Sequence, residues 1–208
     1  MDITTIQQNI LNDDTFVLSE TERIQQLLQL KYEIRWEQSR ATDNLSESVA
    51  EHVYGMHILA KYFLPLEDEA GELDSARIFS MITWHDIDEV ITGDIITSKK
   101  TGDTTDSDIA LATILASMPV HMRSEAETAL TEYSQQETRE AQFVKAIDKA
   151  EPVFEMIRPG FDAVLKQIDR KAPELEKYVV AYVKNFPYIL RFVDVNRFKA
   201  EAEGQFSN

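Results

Sequence analysis

The sequence contains no cysteine among its 208 residues. This absence excludes disulfide bonds, thiolate nucleophiles and metal sites that depend on cysteine ligands. It is typical of a cytoplasmic chain, and we expect that location. Glycine and proline are scarce, with 6 of each. Because these residues punctuate turns, their scarcity favours long helices over hairpins.

Basic residues are also few, since 21 Lys and Arg stand against 37 Asp and Glu and give a formal net charge of −16. A general nucleic-acid binder needs an excess of Lys and Arg, so we expect no nucleic-acid polymer as partner. A small anionic substrate stays compatible with a locally positive or metal-containing site. The hydrophobic fraction of 43% is too high for a disordered chain and predicts one buried core.

Long apolar runs are missing as well. The stretch from Met56 to Leu66 is interrupted by Lys61 and ends near Pro65, well short of the length that spans a membrane. The N-terminal sequence MDITTIQQNILNDDT has neither the basic nor the apolar region of a signal peptide. We therefore expect no membrane partner.

Apolar residues recur at helical spacing along most of the chain, which predicts an all-α globule. Capping signals and proline positions set the expected helix limits. The predicted helices begin at Ser19, run over Ser48–Phe63, Asp74–Gly93, Asp106–Ser117 and Ser124–Tyr133, begin again at Thr138, and run from Pro173 to about Val193 with a break at Pro187. The first helix is expected to bury Ile24, Leu27, Leu28 and Tyr32.

A histidine–aspartate pair, His85-Asp86, is followed one helical turn later by Glu89. An imidazole and a carboxylate on this ridge can both reach a metal, with Glu89 better placed to handle water than to bind the ion. His52 is the best third ligand and Asp148 the preferred fourth. Such a mixed set suits Mn, Co, Fe, Ni or Zn and leaves coordination positions open for water and substrate.

Each of these residues also has a plainer interpretation. A histidine on an apolar helix face is usually packed and hydrogen-bonded in the core. Asp148 alone would more often be an exposed acid, or one paired with Lys145 or Lys149. His57 lies on a different face of the helix from His52, and we interpret it as a surface histidine or one that supports the site. His121 is expected in a turn after Pro119, without a role.

The order of His52, then His85-Asp86, then Asp148 resembles the H…HD…D signature of HD-domain metal-dependent phosphohydrolases. The string HDIDEVITGDI over residues 85–95 is more specific. Together with ESVAEHV over residues 47–53 and the pair Arg35-Trp36, it resembles the branch that includes bacterial 5′-deoxynucleotidases. The resemblance covers roughly residues 30–150.

This resemblance implies a single helical domain of the HD type over residues 1–208, with helices in 159–203 packed on the core motif region. It implies one divalent cation held by four side chains. This cation is Mg or one of the transition metals named above. The implied ligands are His52, His85, Asp86 and Asp148. It further implies that Glu89 activates or positions the attacking water.

The same resemblance assigns substrate contacts. Asp94 maps onto an acid near the sugar, and Arg35 and Trp36 map onto phosphate and sugar contacts. Arg40 is expected to add bidentate hydrogen bonds to phosphate. Solvated surface positions remain the alternative for Arg40 and for the pair Lys99-Lys100, as does a buried core position for Trp36.

The leading functional hypothesis is a metal-dependent release of phosphate from (deoxy)nucleoside 5′-monophosphates. The alternatives are hydrolysis of nucleoside triphosphates or phosphodiesters, and a non-catalytic helical protein that binds nucleotides. Relatives in this branch commonly dimerise, so the resemblance also implies a homodimer.

Overall fold

A computed structural model of the chain describes residues 1–35, 47–94, 105–155 and 176–205. Within these ranges the regular structure is helical, apart from one isolated antiparallel bridge between Ile34 and Ser48. The predicted all-α fold class is therefore confirmed. None of the described helices is both long and apolar enough to cross a membrane.

Two N-terminal helices, α1 (Ile3–Asn12) and α2 (Asp14–Leu27), pack against each other. The side chain of Asp13 accepts hydrogen bonds from the N–H groups of Thr15 and Phe16, so α2 begins before the predicted start at Ser19. The expected buried face of this helix is wrong in part, because Ile24, Leu28 and Tyr32 are exposed. A 3₁₀ turn over Leu28–Lys31 buries Leu30.

Helix α3 (Val49–Glu67) begins one residue after the predicted Ser48. Ser48 caps it in a reciprocal capping box, in which Ser48 accepts from the N–H of Glu51 and the Glu51 carboxylate accepts from the N–H of Ser48. The helix passes through Pro65 and ends later than predicted. Its buried face carries the apolar residues Val49, Met56, Ala60 and Phe63, together with His52 and Glu67.

The predicted helix over 74–93 is divided in two. Helix α4 (Ser75–Trp84) is capped by the Asp74 side chain, and α5 (Glu89–Thr92) ends at Gly93 as predicted. Residues 85–88 form a turn, in which the N–H of Ile87 bonds to the carbonyl of Trp84 and the N–H of Glu89 to that of Asp86. The His85-Asp86 pair therefore lies on tightened backbone rather than on the expected straight helical ridge.

Helices α6 (Thr105–Ser117), α7 (Val120–Gln135) and α8 (Arg139–Glu155) continue the bundle. The hydroxyl of Thr138 accepts from the N–H of Ala141, as the predicted cap requires. Helix α7 begins four residues before the predicted Ser124, so His121 lies on this helix rather than in a turn. Helix α8 is the centre of the fold because it packs against α3, α4 and α7.

The described C-terminal residues form a π-helical turn (Glu176–Val180), α9 (Ala181–Val183) and α10 (Pro187–Ala202). The predicted helix start at Pro173 lies outside the described residues. Pro187 occupies the first turn of α10, where its missing N–H costs nothing, so the predicted break is confirmed. The N–H groups of Tyr188 and Ile189 both donate to the Glu67 carboxylate. Helix α10 is thereby fixed against α3 and also packs on α8.

Candidate metal centre

Two imidazoles from different helices meet in the interior of the protein. His52 on α3 and His85 at the end of α4 are both buried, and their ring centroids lie 5.7 Å apart. Potential ligand atoms of His52, His85 and Asp86 all lie within 4.8 Å of one another. The turn at 85–88 places the Asp86 carboxylate beside its neighbour, with Oδ2 at 2.9 Å from His85 Nε2.

Helix α8 brings Asp148 to the same place. Its Oδ1 atom lies 3.5 Å from Nε2 of His52, and the residue is buried. The structure thus brings together all four side chains that the resemblance implies as ligands, from α3, from the turn after α4 and from α8.

The histidine tautomers indicate what these groups can bind. Nδ1 of His85 lies 3.0 Å from the carbonyl of Ile82, and Nδ1 of His52 lies 2.8 Å from a carboxylate oxygen of Glu151. Both partners are acceptors, so each Nδ1 carries a proton, and in the neutral ring it is Nε2 that holds the lone pair available to a metal. Both Nε2 atoms are buried and make no hydrogen bond within the described ranges. Two orphaned imidazole nitrogens beside two carboxylates fit a divalent cation.

The electrostatics of the two aspartates agree with this fit. Burial acts to raise the pKa of Asp86, but the adjacent His85 outweighs it and the pKa falls below the usual range. Burial likewise acts on Asp148, where Lys145, Lys149 and the histidines hold the pKa well below its ordinary value. Both groups are therefore ionised at neutral pH and available as anionic ligands.

His52 lies in a field that favours positive charge. Burial and the charge of Arg35 act to lower its pKa, but the carboxylates of Asp148 and Glu151 outweigh them and raise it to about 9. The carboxylates that favour a proton on this imidazole also favour a cation beside it, so metal and proton compete for the same nitrogen.

One oxygen of Asp148 is surrounded by donors. Its Oδ2 accepts from the hydroxyl of Tyr133 at 2.9 Å and from the ammonium groups of Lys145 and Lys149, each at 3.0 Å. The sequence-based alternative of ion pairs with these lysines is therefore also realised. The two interpretations are compatible because the lysines bind Oδ2 while Oδ1 faces His52.

Of the remaining sequence-predicted residues, Glu89 is the first residue of α5 and is buried. Asp94 is half-buried and follows Gly93, whose φ of 68° is the conformation that favours glycine at a helix end. Trp36 and Arg40 lie outside the described residues, as do Lys99 and Lys100.

Arg35 is largely buried and pairs with two carboxylates. Its Nη1 lies 2.8 Å from Glu47 and 3.2 Å from Glu151. Burial acts to lower the pKa of Arg35, but these two anions raise it above its ordinary value and keep the guanidinium charged. Burial and the charge of Glu151 raise the pKa of Glu47 to about 7 despite the arginine.

Glu151 is a site residue that the sequence analysis missed. It lies three positions after Asp148 on α8, so it shares that face of the helix. This spacing in AIDKAE was the available signal. Glu151 is buried and close to His52, as described above.

The other histidines lie apart from this cluster. His57 is half-buried on α3 and stacks on Phe79 with ring centroids 5.5 Å apart. Burial lowers its pKa. His121 is exposed on α7.

A model of the HD domain family matches residues 27–172. The chain therefore belongs to the HD domain family, and the resemblance inferred from the H…HD…D motif is confirmed at that level.

A curated relative is the 5′-deoxynucleotidase HDDC2 of Xenopus laevis, which is 28% identical over 124 residues. The match covers 55% of this chain and 59% of that protein, so the chain spans less than two thirds of the relative's length.

Solved structures share the fold. A predicted metal-dependent phosphohydrolase from Magnetospirillum magnetotacticum is 19% identical with a TM-score of 0.76, covering 92% of this chain and 98% of its own. An HD-domain phosphohydrolase from Listeria innocua is 19% identical with a TM-score of 0.53, covering 88% and 85%. At these identities the likeness concerns the fold.

Proposed function

We propose that this protein is a metal-dependent phosphohydrolase that releases phosphate from (deoxy)nucleoside 5′-monophosphates. The observation that carries the proposal is the convergence of two orphaned imidazole nitrogens with the carboxylates of Asp86 and Asp148. Membership of the HD domain family and similarity to a 5′-deoxynucleotidase support the same activity.

His52, His85, Asp86 and Asp148 would hold one divalent cation, with Mn, Co, Fe, Ni, Zn and Mg as candidates. A bound divalent cation acidifies water and offsets the negative charge of a phosphoryl group. The protein's own contribution is to fix these ligands in a buried site where each imidazole has a defined tautomer.

We assign the role of proton acceptor to Glu89. The carboxylate is buried at the start of α5, directly after the turn that carries His85 and Asp86. A carboxylate so placed can take a proton from the attacking water and orient it toward phosphorus. The substrate contacts proposed for Asp94, Arg35, Trp36 and Arg40 follow the family resemblance.

The lysines at Asp148 support an anionic substrate. Lys145 and Lys149 bring two positive charges next to one carboxylate oxygen, and their side chains are 23% and 24% exposed. Although the whole chain carries a net charge of −16, exposed charges beyond about 8–10 Å are screened. The two lysines more than offset the single charge of Asp148, and their positive charge favours approach of a phosphate from this side.

The test is a panel of nucleoside mono-, di- and triphosphates and phosphodiesters incubated with the purified protein and Mn²⁺, Co²⁺ or Mg²⁺. We expect inorganic phosphate and a nucleoside from 5′-monophosphates. Arg77→Gln is the matched control, because Arg77 pairs with Glu132 and Glu140 away from the site.

Identification of the products separates the alternatives. Pyrophosphate or triphosphate would indicate a triphosphate hydrolase, and a nucleotide monoester would indicate a phosphodiesterase. Tight nucleotide binding without turnover under every metal would contradict the hydrolase and support a nucleotide-binding protein.

We also propose a cytoplasmic homodimer. Support comes from the exposed apolar residues of the N-terminal helices, among them Ile3, Leu11 and Leu18, which are the kind of surface that subunits cover. Light scattering coupled to size exclusion tests the dimer, and fractionation of expressing cells tests the location.

A further inference from the structure

Glu151 connects the metal centre to a buried ion-pair chain. Its Oε2 lies 2.8 Å from Nδ1 of His52 and 3.2 Å from Nη1 of Arg35. The carboxylate therefore bridges a candidate metal ligand and a permanent cation. Neither Glu151 nor Arg35 is needed to supply a ligand atom among the four groups proposed above.

Gly55 makes the room for this carboxylate. It lies on α3 one turn after His52, and a Cβ built at this position would meet Oε1 of Glu151 at 2.7 Å. Glycine within a helix is disfavoured relative to alanine, and here the close approach of a charged side chain requires it. The carboxylate is thus confined against α3 by shape as well as by charge.

Arg35 is anchored to the start of the same helix. Its N–H donates to the carbonyl of Glu47 at 2.9 Å, and the N–H of Val49 donates to the carbonyl of Glu33 at 2.9 Å. These bonds hold the residue beside the N-terminus of α3, where its guanidinium pairs with the side chains of Glu47 and Glu151.

We propose that Arg35 and Glu151 are positioning residues of the metal centre, acting as a chain from Arg35 through Glu151 to His52. Glu151 holds the proton of His52 on Nδ1 and fixes the ring so that Nε2 faces the ion. Arg35 holds Glu151 in place. This inference rests on the proposed metal site, and it gives Arg35 a task other than the phosphate contact implied by the family resemblance.

Loss of a carboxylate that orients a metal-binding histidine typically weakens metal affinity by about 10–100-fold. We expect Glu151→Ala and Arg35→Gln each to lower the affinity for Mn²⁺ within this range. Because the residues act in one chain, the double variant should lose little more than the worse single variant. Gly55→Ala displaces the carboxylate without removing a charge, and it should weaken Mn²⁺ binding as well.

The experiment is a titration of the whole purified protein with Mn²⁺ in the absence of substrate. Electron paramagnetic resonance measures the free Mn²⁺ at each point. Arg77→Gln removes another arginine that pairs with two carboxylates, and it should bind Mn²⁺ like the wild type. Arg35→Lys keeps a positive charge and should recover part of the affinity. Thermal unfolding of the metal-free variants shows whether the fold is retained.

Three results overturn the inference. If Arg35→Gln binds Mn²⁺ like the wild type while KM for the hydrolysed nucleotide rises, Arg35 contacts substrate instead. If Glu151→Ala leaves Mn²⁺ affinity unchanged, Glu151 does not position His52. If the wild type itself binds no Mn²⁺, the proposed metal site fails and this inference fails with it. Failure of nucleotide hydrolysis with intact Mn²⁺ binding would leave the chain from Arg35 to His52 supported.

Discussion

The hydroxyl of Tyr133 donates a hydrogen bond of 2.9 Å to Oδ2 of Asp148. Helices α7 and α8 are thereby joined at a candidate metal ligand. The same hydroxyl accepts from Lys145 at 2.9 Å, and the Tyr133 ring lies against His85 with centroids 5.4 Å apart. Tyr133 thus contacts both sides of the metal centre.

Tyr133→Phe keeps the ring and removes only the hydroxyl. A hydrogen bond to a charged group contributes about 1.5–3 kcal/mol, but Lys145 and Lys149 still hold Asp148. We therefore expect Mn²⁺ affinity to fall by less than about tenfold. Titration with Mn²⁺ measures this, and Tyr54→Phe at an exposed position of α3 is the control. A complete loss of binding would show that the lysines do not support Asp148.

Asp86→Asn should abolish metal binding and activity together. The substitution preserves size but removes the charge that lies 2.9 Å from Nε2 of His85. Elemental analysis of protein dialysed against Mn²⁺ and an assay of phosphate release measure the two effects. Asp88→Asn changes a carboxylate of the same turn and should retain both. Metal retained at wild-type stoichiometry in Asp86→Asn would exclude Asp86 as a ligand.

Glu89→Gln should keep the metal and lose turnover. A positioned general base typically contributes about 10²–10⁴-fold to the rate, and the amide cannot accept a proton. The expected result is a fall in kcat of that order with unchanged Mn²⁺ affinity. If the variant instead loses the metal, Glu89 is a ligand and its assigned role is wrong.

Glu67 should make stability depend on pH. Burial raises the pKa of Glu67 despite the hydrogen bonds from the N–H groups of Ile189 and Tyr188. The protonated Glu67 side chain therefore contributes fully to the free energy of unfolding below the unfolded pKa of about 4.3. This contribution is lost as pH rises through the higher pKa of the folded state. As pH increases through this range, the wild type should become less stable relative to Glu67→Gln.

Urea unfolding at several pH values measures this difference. Glu67→Ala removes the acceptor for α10 and should be less stable than Glu67→Gln by about 1 kcal/mol at every pH, because neither side chain titrates. An unchanged difference between wild type and Glu67→Gln across the titration would contradict the prediction.

Much of the fold could be predicted because its signals are local. The helix start near Ser48, the cap at Thr138 and the break at Pro187 each depend on a few neighbouring residues. The predicted helix limits are wrong where local signals compete or are missing. At α2, Asp13 caps the helix ahead of Ser19. At His85 the backbone tightens into a turn that helical periodicity does not reveal.

The residues of the candidate site also fall into those that the sequence predicts and those that only the structure reveals. Helical periodicity in the sequence determined the all-α class, because a helix fixes the spacing of residues within a turn or two. The four side chains now found together lie far apart in the sequence, and it was the resemblance of their order to the HD signature that predicted them. Only the tertiary structure decided that Glu151 supports His52 across 99 positions of sequence and that Arg35 pairs with Glu151 across 116. Contacts over such separations depend on how α3 and α8 pack, and on a space at Gly55 that no short sequence window encodes.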